Sequence, residues 1–177
     1  MHTHKTNPNS QGFSMIELMI SMVITGIISS IALPNFINQI KKSRQSEAVS
    51  VLVQLQTTLV AYVDENNTTK SSCGNTDTPT WGDLNGIAAI MTKEGPANDC
   101  EAILSAPITM PSGHYTLERS DDKSDDNYYE FTASDSNATK FNAMACVDLV
   151  NGASDIEKGN GVTAIKKTDL DCRPMTT

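Results

Sequence analysis

Aromatic side chains are scarce, 5% of 177 residues with a single Trp. Each ring missing from a core forgoes a large buried area, so the core can be neither large nor aromatic-rich, and the length suits one ordinary domain with an extra segment. Basic residues are few, 13 against 21 acidic, for a formal net charge of −8. That balance argues against direct nucleic-acid binding by the bulk domain through a globally basic surface. Of three histidines, His2 and His4 lie in the first four residues, and the four cysteines form no CxxC, so no metal site is expected. There is no Gly-rich phosphate loop, no triad spacing among serines, His114 and acids, and no repeat of 20–50 residues. No catalytic residue and no cofactor are expected, and the chain reads as a non-enzyme.

Charge is absent from one place above all. Leu18 to Ile40 holds no charged residue, whereas Gln45 to Thr177 holds all the acids except Glu17. The chain is therefore an acidic domain attached to a long apolar segment, residues 13–40, which is long enough to span a bilayer as a helix. A cleaved signal peptide would explain its position, and Ser30-Ile31-Ala32 approximates a small-x-small site. Glu17 near the start of the apolar run and Pro34 as second residue of the product count against it. A plain anchor explains the length but leaves Glu17 as an ionisable group inside the run, a candidate functional residue unless it reaches back to the interface.

A third reading takes Gln11-Gly12-Phe13-Ser14-Met15-Ile16-Glu17 as one unit. A short polar leader ends in Gly12, an apolar Phe13 follows, and a carboxylate stands at the fifth position counted from Phe13. Over residues 11–40 the sequence resembles the type IV prepilin family. The resemblance implies cleavage by prepilin peptidase after Gly12, N-methylation of the new terminus at Phe13, an assembly role for Glu17, and helix-weakening positions at Gly26 and Pro34. It also implies an inner-membrane precursor with its leader in the cytoplasm, handed to an inner-membrane pilus assembly machinery and incorporated into a cell-surface filament. Lys5 before the span and Lys41, Lys42 and Arg44 after it would, by the positive-inside bias alone, favour the opposite orientation. The leader pattern and the cysteines outweigh that short charge count.

Helical periodicity continues past the apolar run. Ala48, Val51, Leu52, Leu55, Leu59, Tyr62 and Val63 form one apolar stripe, and Asp64-Glu65-Asn66-Asn67 ends it. The spacing predicts a helix from about Ser14 to Val63, roughly 75 Å long at 1.5 Å per residue. Its second half can pack on its own domain. Its first half, apolar all round, must lie in lipid or against copies of itself. Within it, Pro34 costs about 3 kcal/mol and Gly26 about 1 relative to a good helix former, so local weakening between them is expected. Cleavage would leave a charged amine on Phe13 close to Glu17, and pairing of amine and carboxylate, within or between subunits, would offset the cost of burying either charge alone.

Beyond the helix, residues 66–80 read as loop, with a short helix expected within Asp83–Met91 around Leu84, Ile87, Ala88 and Met91. Strands are expected at His114–Arg119, Tyr128–Ala133, within Lys140–Val150 and at Val162–Lys167, with residues 120–127 as a hairpin connection. The fold class is α+β, a long N-terminal helix followed by an antiparallel meander, which is also the layout the resemblance implies. The expected divisions are a leader at 1–12, a hydrophobic helix at 13–40, its amphipathic half at 41–65 and a globular domain at 66–177.

Cys73, Cys100, Cys146 and Cys172 are an even set in a domain with a modest core, which suggests two disulfides in any of three pairings. The resemblance implies a C-terminal disulfide-bounded loop, to which Cys146–Cys172 would correspond, leaving Cys73–Cys100. Each would add roughly 3–4 kcal/mol by loop entropy. Asp121, Asp122, Asp125 and Asp126 lack EF-hand spacing and its Gly and read as a solvated hairpin tip. The expected function is a structural subunit of a type IV pilus, polymerised with like or related pilin subunits and serving adhesion, twitching motility or DNA uptake. The alternatives are a type II secretion pseudopilin and a membrane-anchored tip adhesin or binding domain.

Overall fold

The computed structural model describes residues 12–173, except 75, 99, 101–105 and 121–124. Helix α1 runs unbroken over Met15–Asn66, through Pro34. Its last turn is closed by Asn66, whose Nδ2 donates to the Tyr62 carbonyl at 2.9 Å. Asn67 then takes a left-handed φ of 53°, the conformation in which helices commonly end. By internal contacts the chain divides into two units, one ending at Gln39 and one beginning at Ile40.

In the second unit the helical stripe packs on a five-stranded antiparallel meander. Its strands are β3 (Ile108–Thr109), β4 (Thr116–Arg119), β5 (Tyr128–Ser134), β6 (Ala143–Asp148) and β7 (Ser154–Lys158), in spatial order 3-4-5-6-7. Alternation sorts their side chains. Leu117, Tyr129, Phe131, Ala133, Ala143, Ala145 and Val147 join Ala48, Leu52, Leu55, Leu59 and Tyr62 of α1 in the core. Small alanines on β6 let helix and sheet approach, and most of the scarce aromatic residues are spent here: Tyr62, Trp81, Tyr115, Tyr129 and Phe131 are fully buried.

All six residues of β6 are buried. One face meets the helix, and the C-terminal segment covers the other: Cys172 bonds Cys146, and Arg173 Nε donates to Asp148. On neighbouring β5, the buried Glu130 pairs with Lys167 at 2.9 Å.

Three local expectations are corrected. The short helix, α2, is Trp81–Ile87, because Thr80 and Asp83 form a capping box that starts it early. Met91 lies instead in β1 (Met91–Thr92), paired with β2 (Gly95–Pro96). Val162–Lys167 is no strand: the Asn160 carboxamide accepts from the Val162 and Thr163 amides, and Gly161, at φ +85°, turns the chain away. The last strand is the polar Ser154–Lys158, paired with β6 from Ala143↔Lys158 to Val147↔Ser154. His114 and Tyr115 precede β4 rather than belonging to it: they follow a turn closed by Gly113 N–H on the Met110 carbonyl at 2.8 Å, and the Tyr115 carbonyl accepts the Met110 amide at 2.9 Å.

Candidate functional site

The residues singled out near the N-terminus lie on or just before the first turns of α1. Residues 1–11, most of the expected leader, fall outside the described residues. Gly12 and Phe13 lie outside any helix or strand and are exposed, Phe13 at 81%. A Cβ at Gly12 would meet nothing within 4 Å, so the chain's own packing imposes no demand for glycine there. The same holds at Gly26.

Glu17 has a definite local role. Its Oε2 accepts the Ser14 amide at 2.8 Å, and its own amide donates to the Ser14 carbonyl at 3.1 Å. Ser14 is thus the N-cap and Glu17 the third helical residue, which supplies the carboxylate half of a capping box. The negative charge also suits the positive end of the helix dipole. The carboxylate is folded back toward the Phe13–Ser14 peptide, one residue from the Gly12–Phe13 bond.

From Gly12 to Gln39 every residue is exposed. Fifteen large apolar side chains between Phe13 and Ile37 each keep at least 44% of their surface open. Full burial of such a side chain is worth roughly 1.5–3 kcal/mol, so the segment is driven strongly out of water. It is long and apolar enough to cross a membrane. Three of its hydroxyls do not oppose that: Ser21 donates to the Glu17 carbonyl at 2.8 Å, Thr25 to the Ser21 carbonyl at 2.7 Å and Ser30 to the Ile27 carbonyl at 2.7 Å. Each is satisfied within the helix, as an apolar environment requires. Pro34, without an N–H, leaves the Ser30 carbonyl without its usual backbone donor, yet the helix does not break there.

Two disulfides brace the second unit. Cys73 and Cys100 are bonded with Cα atoms 5.4 Å apart, and Cys146 and Cys172 with Cα atoms 6.0 Å apart. Beside the second, Arg173 Nη1 reaches Asp125 at 2.6 Å and its guanidinium stacks 4.6 Å from the Tyr128 ring centre. The Arg173 hydrogen bond holds the Asp148 carboxyl below its ordinary pKa. The Asn127 amide and Arg173 do the same for Asp125. Asp125 is therefore engaged in closing the C-terminus, and Asp121 and Asp122 of the same acidic cluster lie outside the described residues.

Two groups of polar residues are not apparent from apolar periodicity. Gln45, Gln56 and Thr58 are buried on α1. Gln56 Nε2 donates to the Cys146 and Asp155 carbonyls at 2.7 and 2.9 Å, and Gln45 Nε2 to Gly159 at 2.6 Å. Asp83, 5% exposed, accepts from Ser71, Ser72, Cys73 and Thr80. Burial pushes its carboxyl up, but those hydrogen bonds outweigh burial and hold it well below the usual carboxylate range.

Residues 7–33 match the family described as the prokaryotic N-terminal methylation motif. The chain is 33% identical over 113 residues to the type IV major pilin protein PilA of Myxococcus xanthus, covering 63% of this chain and 50% of that protein. It is 39% identical over 56 residues to the type II secretion system core protein G of Aeromonas hydrophila, covering 32% of this chain and 39% of that one. With fimbrial protein Q of Moraxella bovis it shares 38% identity over 68 residues, 38% of this chain and 43% of the relative. The chain thus spans half or less of the length of each of these curated relatives. No solved structure matches it.

Proposed function

We propose that this chain, whose N-terminal segment is that of a type IV pilin-like precursor, is a structural subunit of a type IV pilus. One observation carries the choice of a pilus over a secretion pseudopilus. The 113-residue similarity to a major pilin cannot fit within the leader and α1, which end at residue 66, so it reaches into the sheet domain. The 56-residue similarity to core protein G is short enough to fit within them. The pseudopilin reading remains the second one, supported by several such matches.

In this reading prepilin peptidase cuts between Gly12 and Phe13, and the new amine is methylated and keeps its charge. The apolar half of α1 holds the subunit in the inner membrane, and the assembly machinery transfers it to a surface filament in which copies shield one another's apolar helices. The segment stays out of water in both states, so burial drives insertion and polymerisation alike. Glu17, freed from the Ser14 amide, pairs with the terminal amine of Phe13 on a neighbouring subunit and fixes axial register. The acidic sheet domain faces outward and does no chemistry.

Electron microscopy of sheared surface filaments, with mass spectrometry of their contents, tests this. Long filaments containing the chain, starting at methylated Phe13, are expected. Absence of the chain from filaments, with retention in the membrane fraction, would favour the pseudopilin or a simple anchor.

A further inference from the structure

Lys41, Lys42 and Arg44 follow directly on the charge-free stretch that ends at Ile40. The fold gathers two sequence-remote lysines beside them. Lys41 Nζ lies 5.9 Å from the centre of the Phe141 ring. Arg44 is near enough to act on the hydroxyl of Tyr115, which donates to the Phe141 carbonyl at 2.8 Å. Lys140 precedes Phe141 and accepts the Gly161 amide on its carbonyl at 3.0 Å. Lys158, opposite Ala143 at the end of β7, precedes Gly159, to which Gln45 of α1 donates at 2.6 Å. Lys41, Arg44, Lys140 and Lys158 thus gather at one end of the sheet domain, with Lys42 next to them in the chain. Lys42, Lys140 and Lys158 are exposed.

Among the described residues none of these five is in an ion pair, whereas Lys70, Lys167 and Arg173 are. The acids nearby number four: Glu47 and the buried Asp135, which both act on Tyr115, and Glu157 and Asp169, which line one hollow with Lys158. A domain otherwise strongly acidic therefore presents a net positive end, formed by residues from α1, the 139–141 turn and β7.

We infer that this end is a docking surface for the phosphates of anionic phospholipid headgroups, seating the domain on the bilayer while the subunit is membrane-anchored. The inference rests on the membrane-anchored reading above. A bilayer whose surface is anionic repels the acidic domain as a whole and attracts juxtamembrane lysines and arginines. Lys140 and Lys158 matter because they widen a three-residue collar into a surface, and because sequence alone does not place them there.

The test uses the full chain in nanodiscs of phosphatidylcholine alone or with phosphatidylglycerol, reading amide hydrogen exchange at residues 139–142 and 158–161. Phosphatidylglycerol should slow exchange there several-fold at low salt, and added salt should remove the effect. Lys140→Gln with Lys158→Gln should abolish it, while Lys93→Gln should not. Inorganic phosphate added to phosphatidylcholine discs should not reproduce it; if it does, the site is a free-anion site and the lipid assignment is wrong. Protection in phosphatidylcholine that rises with the number of chains per disc would assign the surface to the acidic face of a second copy instead. Insertion in both lipids with no difference in exchange overturns the headgroup site and leaves the anchor standing. Failure to insert in either overturns both.

Discussion

Replacing Asp83 by Asn should destabilise the sheet domain by about 3 kcal/mol at pH 7. The Oδ1 of Asp83 accepts the Ser72 and Cys73 amides at 2.9 and 3.0 Å and the Ser72 hydroxyl at 2.7 Å. The Oδ2 accepts the Thr80 amide at 2.8 Å and the Ser71 and Thr80 hydroxyls at 2.5 and 2.8 Å. An Asn amide group must face one of these sets. Hydroxyls can turn to accept from it, but a backbone N–H cannot. In the better orientation the Thr80 amide loses its acceptor, at about 1–3 kcal/mol for a buried donor, and the remaining bonds lose their charge assistance at a further 1 kcal/mol or so. That is a large share of the roughly 5–15 kcal/mol that stabilises a typical domain. The single Trp, Trp81, is two residues away and 1% exposed, so its fluorescence reports the unfolding of this region in guanidinium. The carboxyl is held below its unfolded value of about 3.9, so its stabilisation is complete above that pH and is lost as pH falls toward the folded value. The gap between wild type and Asp83→Asn should therefore narrow below about pH 4. A loss under 1 kcal/mol at pH 7, or a gap that does not change in acid, would refute this account of the carboxylate.

Intact-mass measurement of subunit from the membrane should find a chain beginning at Phe13 with a methylated amine, and Gly12→Asp should accumulate as full-length precursor. Glu17→Ala, co-expressed with wild type, should insert normally yet be depleted from sheared filaments, with Glu17→Asp in between; equal incorporation would remove Glu17 from assembly. Non-reducing peptide mapping should recover Cys73 with Cys100 and Cys146 with Cys172. Gly161→Ala should cost about 1–2 kcal/mol for its positive φ, and more if the Phe141 ring, 2.8 Å from the new Cβ, cannot shift; a denaturation midpoint equal to wild type would argue against it.

The long helix is legible because two signals extend over many residues: an uncharged run to Ile40 and an apolar stripe from Ala48 to Val63. Strands are legible where bulky residues alternate, as in β5, whose Tyr129, Phe131 and Ala133 point into the core. The strand β7 is not, because Ser154–Lys158 contains one apolar residue, Ile156, and owes its conformation to pairing with β6. Val162–Lys167 has β-branched residues but no neighbour to pair with once Gly161 has turned the chain. The Thr80–Asp83 capping pattern is present in the sequence, although its surroundings have the composition of a loop. Gln56 and the five-cation surface depend on contacts between distant segments, which periodicity cannot register. At the N-terminus the converse holds: the motif is explicit in sequence, and the isolated subunit adds mainly the Glu17 cap.

Gln45, Gln54 and Gln56 reach sideways from α1 to carbonyls of Gly159, of Ala89, and of Cys146 and Asp155. In a polymer joined through that helix, tension along the filament enters the sheet domain as shear at this interface. An apolar seam alone resists sliding weakly, since one contact is readily exchanged for the next as the surfaces slip. Three amide pegs set across the direction of pull must break together before the helix moves by a turn, and β6, which receives one of them, is itself pinned by Cys172. In such a polymer the load path would run from helix to amide to central strand to disulfide, and the domain would resist extraction of its helix as a mechanical joint rather than as an oiled surface.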